Sequence, residues 1–143
     1  MSWMPSSPIP HVLQGSRVLV VENEWFIAID VESMLADAGA SVVGPVATVD
    51  EALALVRSEP LSAAVLDMRL RDESIEPVAE ALHEHGTPFL FYSGQLAKNA
   101  ALQRWPDAVF LAKPAPSRLL VEAVRDLVAA DGPATDATRK HDC

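Results

Sequence analysis

Five polar residues stand at the ends of apolar runs and carry the chemistry this sequence offers. Glu22 and Asn23 follow VLVV, Asp67 follows AAVL, Ser93 follows FLFY and Lys113 follows VFLA. Clustered carboxylates repel one another and stay ionised best beside a cation. With oxygen donors and no cysteine or histidine nearby, that cation is a hard one such as Mg²⁺. A carboxylate is also a competent nucleophile toward phosphorus, giving an acyl phosphate. Phosphoryl transfer asks mainly for positioning and charge neutralisation. Lys113 and a divalent ion supply the charge, and the Ser93 hydroxyl and Gly94 amide can donate to phosphoryl oxygens. Taken singly, each residue has a plainer role: Asp67 as a cap or turn residue, Lys113 as a surface lysine, Ser93 as a turn serine before a glycine. The chemical reading depends on a fold that brings the run ends together.

The elements that must do so alternate between two periods. Val18 to Val21 is a continuous apolar run, suited to a strand buried on both faces. Ile27, Val31, Leu35 and Ala38 follow helical spacing, and Gly39 sits where a helix commonly ends. Ser41 to Val46 reads as a second strand, interrupted by Gly44 and Pro45. Thr48 or Asp50 can cap a helix carrying Ala52, Leu53 and Val56, closed by Pro60. Ala63 to Leu66 is a third strand ending in Asp67. Ile75, Val78, Ala79 and Leu82 mark a third helix, stopped near Gly86. Pro88 to Tyr92 and Ala108 to Ala112 are the fourth and fifth strands. Between them, Gln95 to Arg104 reads as a weaker helix with only Leu96, Ala97, Ala101 and Leu102 as its apolar face. Pro116 suits the first turn of a last helix bearing Leu120, Val124, Leu127 and Val128. Five βα units in about 115 residues imply an α/β fold: a flavodoxin-like doubly wound, five-stranded parallel sheet of order 2-1-3-4-5 with five helices. In such a sheet all strand ends share one edge, and ligands bind beyond it.

The strings VLVVENE, AAVLDMRL, FLFYSG and VFLAKP, in that order at those strand ends, resemble the receiver domains of two-component response regulators. The resemblance covers about Arg17 to Ala130. It implies that Asp67 is the phosphoacceptor, that Glu22 and Asn23 fill the acidic metal-binding pair, and that the Arg69 backbone carbonyl completes an Mg²⁺ site with Asp67. It implies Ser93 as the switch hydroxyl, Phe110 as the aromatic switch residue, Lys113 as the family's lysine, and a cis peptide between Lys113 and Pro114. It departs from the family at Asn23, where a second acid is usual, so Mg²⁺ binding weaker than in a standard receiver is expected. The resemblance also implies that Arg69 stands at a position which, in the family, lies over the phosphoryl site and can influence hydrolysis. Glu24 reads as a first-turn helix residue favoured by the helix dipole.

Composition narrows the partners. Half of the 143 residues are hydrophobic and the formal net charge is -9, with no basic run. Direct nucleic-acid binding is therefore not expected. Cys143, the single cysteine, supports neither a disulfide framework nor a cysteine zinc site. No apolar run approaches the roughly 20 residues of a membrane helix, and no signal-peptide pattern opens the chain; a cytoplasmic protein without a membrane partner is expected. An irregular leader over 1–16, a domain over 17–130 and a flexible tail over 131–143 are expected, as is a stand-alone regulator. Its partners would be a sensor histidine kinase or phosphotransfer protein, a downstream protein, and in one arrangement a second copy in a homodimer. A switch of this kind is not an enzyme. The competing reading is a non-phosphorylated pseudo-receiver acting as an interaction module, which Asn23 favours. A phosphatase with an aspartate nucleophile would want a second aspartate where Arg69 stands, and a flavin module would want a glycine or hydroxyl cradle at the first strand end. Trp25 and Trp105 read as packing residues.

Overall fold

Val18 to Val21 are at most 1% exposed, as a strand covered on both faces requires. In the computed structural model this run is the centre of strand β1 (Arg17–Val21). The structure describes residues 11–70, 73–94, 104–106 and 108–130, and for Arg69 the backbone only. Helix α1 (Trp25–Asp37) follows, then β2 (Ser41–Val46), α2 (Val49–Ser58) and β3 (Ala63–Leu66). A short hairpin of β4 (Arg69–Leu70) and β5 (Glu73–Ser74) comes next, then α3 (Glu76–Glu84), β6 (Phe89–Ser93), β7 (Val109–Ala112) and α4 (Ser117–Ala130).

The main sheet has the order β2-β1-β3-β6-β7, all pairs parallel. This is the expected 2-1-3-4-5 order once the hairpin strands are set aside. Two apolar clusters cover the faces. One gathers Leu19, Leu66, Phe91, Ile75, Val78 and Leu82. The other gathers Val18, Val20, Leu35, Leu90, Leu120 and Val124. Alternate residues of the central strands supply the two sets, because strand side chains point to opposite faces in turn. Leu13, ahead of β1, is fully buried in the second cluster.

Two features depart from expectation. The described residues hold four helices, so the expected five is corrected to four. The helix expected over 95–104 falls outside the described residues except at Arg104. The second departure is the antiparallel β4–β5 hairpin, pairing Arg69 with Ser74 and Leu70 with Glu73. Its Glu73 carboxylate accepts a hydrogen bond from the Val49 amide at 3.0 Å, tying the segment after Asp67 to the start of α2.

Local chemistry explains the element ends. Thr48 caps α2, its hydroxyl accepting from the Glu51 amide at 3.2 Å. Gly39 ends α1 with a φ of +100°, and a Cβ there would meet Gln14 Oε1 at 2.9 Å and the Gln14 backbone nitrogen at 3.0 Å. Only glycine meets both demands. The Pro116 carbonyl accepts from the Leu119 and Leu120 amides at the start of α4.

Candidate functional site

Parallel pairing brings the ends of β1, β3, β6 and β7 to one edge. The Asp67 amide donates to the Val21 carbonyl at 2.9 Å, and the Lys113 amide to the Ser93 carbonyl at 2.8 Å. These bonds extend the sheet one residue past the strands and set the polar side chains side by side. Asp67, Ser93, Gly94, Lys113, Asn23 and Glu24 line an open cavity of about 960 Å³. Asp67 is 5% exposed and Ser93 1%, yet both reach the cavity wall.

Glu22 is buried and joined to that wall by the Lys113 ammonium. Lys113 Nζ lies 2.7 Å from Glu22 Oε1 and 3.6 Å from Asp67 Oδ2. Glu22 Oε2 accepts from the Glu24 amide at 3.2 Å. Burial raises the Glu22 pKa most; the Lys113 hydrogen bond lowers it and the Asp67 charge raises it, leaving it at about 7 against an ordinary 4.5. A buried carboxylate so placed is short of positive charge, and that shortage is what a divalent cation would relieve.

The donor set is all oxygen and fits a hard cation: the Glu22 and Asp67 carboxylates with the Asn23 amide oxygen. Mg²⁺ commonly keeps several waters and needs only one or two carboxylates. Among the described residues no group of three His, Cys, Asp or Glu side chains that could hold a metal is present. Arg69 contributes backbone pairing to β4, two residues past Asp67. Phe110 stands apart from the cavity wall. It is half-buried, in register with Phe91 of β6 and packed on the first apolar cluster. The Lys113–Pro114 peptide is cis.

Three features escaped the sequence reading. Trp25 is not a packing residue: it is 72% exposed, with Phe26 at 57% and Ile29 at 53%. Phe26 and Ile29 form the apolar rim of the cavity, and Trp25 meets Phe26 edge to face at 5.9 Å. The signal was present, since these residues are surplus to the buried stripe Ala28, Val31 and Leu35. Trp105, by contrast, packs on Phe89 at 5.5 Å and His83 at 5.2 Å. Tyr92 was read only as a strand residue, and its side chain meets Lys113 and Ala115. The Glu73 contact to α2 had no sequence signal.

Solved structures similar to this one include response-regulator receivers. SdrG from Sphingomonas melonis Fr1 is 35% identical with a TM-score of 0.69, over 79% of this chain and 96% of that one. A response regulator receiver protein from Sinorhizobium medicae WSM419 is 28% identical with a TM-score of 0.74, over 84% of this chain and 99% of that one. The response regulator PhyR from Brucella abortus is 26% identical with a TM-score of 0.74, over 92% of this chain and 56% of that one. No family model matches the chain, and no curated protein matches it in sequence. With its sheet order, its cavity at the strand ends and these likenesses, the chain belongs to the CheY-like response-regulator receiver family. Members of that family are signalling switches rather than turnover enzymes. No helix among the described residues is long and apolar enough to cross a membrane.

Proposed function

We propose that this domain is a cytoplasmic phosphorylation switch that accepts a phosphoryl group on Asp67 from a phosphohistidine. The supporting observation is the Lys113 ammonium held between the Glu22 and Asp67 carboxylates at the wall of an open cavity. An Asp67 oxygen attacks phosphorus, the phosphorus–nitrogen bond of the donor breaks, and the imidazole departs. Lys113 neutralises the transferred group, while the Ser93 hydroxyl and Gly94 amide donate to its oxygens. Glu22, Asp67 and Asn23, with the Arg69 carbonyl, would hold Mg²⁺, which supplies further charge neutralisation.

The phosphodonor is a sensor histidine kinase or phosphotransfer protein. The exposed Trp25, Phe26 and Ile29 beside the cavity suit the apolar part of such a contact. Once phosphorylated, Ser93 is drawn toward the phosphoryl group and Phe110 turns after it. The change shifts a two-state population. The surface of β7 and α4, where Val109 and Leu119 are exposed, then meets a downstream protein or a second copy of the chain.

The test is incubation with acetyl phosphate and Mg²⁺, read by intact mass. One phosphoryl adduct, absent from Asp67→Asn, supports the switch. Asparagine at position 23 favours a second reading, a receiver that works by contact alone. No adduct at saturating Mg²⁺ would decide for it.

A further inference from the structure

Tyr92 is 4% exposed, one residue before Ser93 on β6. Its hydroxyl accepts a hydrogen bond from the Ala115 amide at 3.0 Å, a buried contact between residues 23 apart in sequence. Its ring lies 5.6 Å from the Lys113 ammonium, measured to the centroid. That is within the range at which a ring quadrupole attracts a cation. The backbone of Lys113 is held to β6 as well, its amide donating to the Ser93 carbonyl at 2.8 Å.

We propose that Tyr92 is a positioning residue for Lys113: the ring steadies the ammonium between Glu22 and Asp67, and the hydroxyl anchors the backbone two residues beyond it. The proposal deepens the phosphoacceptor reading and rests on it for its functional consequence. A lysine has a long flexible stem and loses much rotamer freedom when its ammonium is fixed. Three contacts limit the places this one can go: Glu22 Oε1, Asp67 Oδ2 and the Tyr92 ring. The plainer role for Tyr92 is a core residue whose hydroxyl found a partner. Leucine would fill the core almost as well in that role, but it could make neither the ring contact nor the hydroxyl bond.

The test uses the full chain with Y92F and Y92L. In the unphosphorylated proteins, NMR follows hydrogen exchange at the Ala115 amide, the ring-current shift of the Lys113 ε-methylene protons and the order parameter of that methylene. Y92F should expose the Ala115 amide to exchange while keeping the Lys113 shift. Y92L should lose both. With acetyl phosphate and Mg²⁺, Y92L should take up the phosphoryl group about three- to tenfold more slowly at saturating donor, with Y92F in between. The half-saturating donor concentration should stay at the wild-type value. A Y92L protein with the wild-type Lys113 shift, or with the wild-type maximal rate, would overturn the proposal. If Y92L fails to fold, Y92F decides: a protected Ala115 amide and a wild-type rate overturn it, and faster exchange with a slower rate supports it. If the wild type takes up no phosphoryl group, the phosphoacceptor reading fails by itself. Lower order of the Lys113 ε-methylene in Y92L would then still support the positioning, and wild-type order would overturn it.

Discussion

Lys113 and Glu22 form a partly buried ion pair 2.7 Å long between residues 91 apart in sequence. Their side chains are 11% and 3% exposed. The pair places an ammonium against the more buried of two acids, while Asp67 Oδ2 lies 3.6 Å from the same ammonium. Among the described side chains of this cluster, one ammonium therefore serves two carboxyl groups, an excess of acid.

Removing the acceptor charge should relieve that excess. Asp67→Asn abolishes the phosphoryl adduct and takes away a like charge that raises the Glu22 pKa. Glu22 should titrate lower than about 7 in this variant, and the fold should gain stability at pH 8 on the order of 1 kcal/mol. Carboxyl NMR titration and urea unfolding measure the two effects. A Glu22 titration unchanged by the substitution would contradict the coupling.

The raised Glu22 pKa sets a pH dependence. The folded state holds this proton more tightly than the unfolded chain, where the group titrates near 4.5. Between pH 4.5 and about 7 the folded state therefore binds more protons, and stability falls as pH rises. The contribution is fully present below the lower value and gone above the upper one. It amounts to at most about 3 kcal/mol. Glu22→Gln should flatten this part of the profile. Urea midpoints of both proteins across the window measure it, and parallel curves would refute the assignment.

Asparagine at position 23 should limit metal affinity. Asn23→Asp adds a carboxylate beside Glu22 and should tighten Mg²⁺ binding by about tenfold or more. Without metal the added charge should cost stability. Titration calorimetry with Mg²⁺ and unfolding in chelator measure the two sides. Equal Mg²⁺ affinities would show that residue 23 is no ligand.

The apolar rim should matter to a protein donor and to little else. Trp25→Ala with Phe26→Ala removes exposed side chains, so stability should change by no more than about 0.5 kcal/mol per site. Labelling by acetyl phosphate should be unchanged. Transfer from a phosphorylated histidine-containing domain should slow at least about tenfold, as loss of aromatic anchors at an interface does. Equal slowing with both donors would locate the defect in the site itself.

Much of this was legible along the chain. Val18–Val21 and Ala63–Leu66 announced strands because short, valine- and alanine-rich apolar runs bounded by turn residues suit a sheet buried on both faces. The alternation of such runs with helical spacing set the strand order, since right-handed crossovers leave few topologies open. From that order the convergence of Asp67, Ser93 and Lys113 on one edge followed directly. The helix count and the β4–β5 hairpin did not follow. The hairpin rests on the pairing of Arg69 with Ser74 and on the Glu73 contact to α2, neither of which leaves a periodic pattern in the sequence.

What the sequence determined by itself was which residue types stand at the strand ends, because period and apolar content act locally. Only the tertiary structure decided that Lys113 settles on Glu22 more closely than on Asp67, that Tyr92 bonds to Ala115 and that Trp25 faces water. Each of these depends on side chains from distant segments competing for the same few ångströms. That competition is resolved by burial, charge and rotamer together, and no window of neighbouring residues contains all its members.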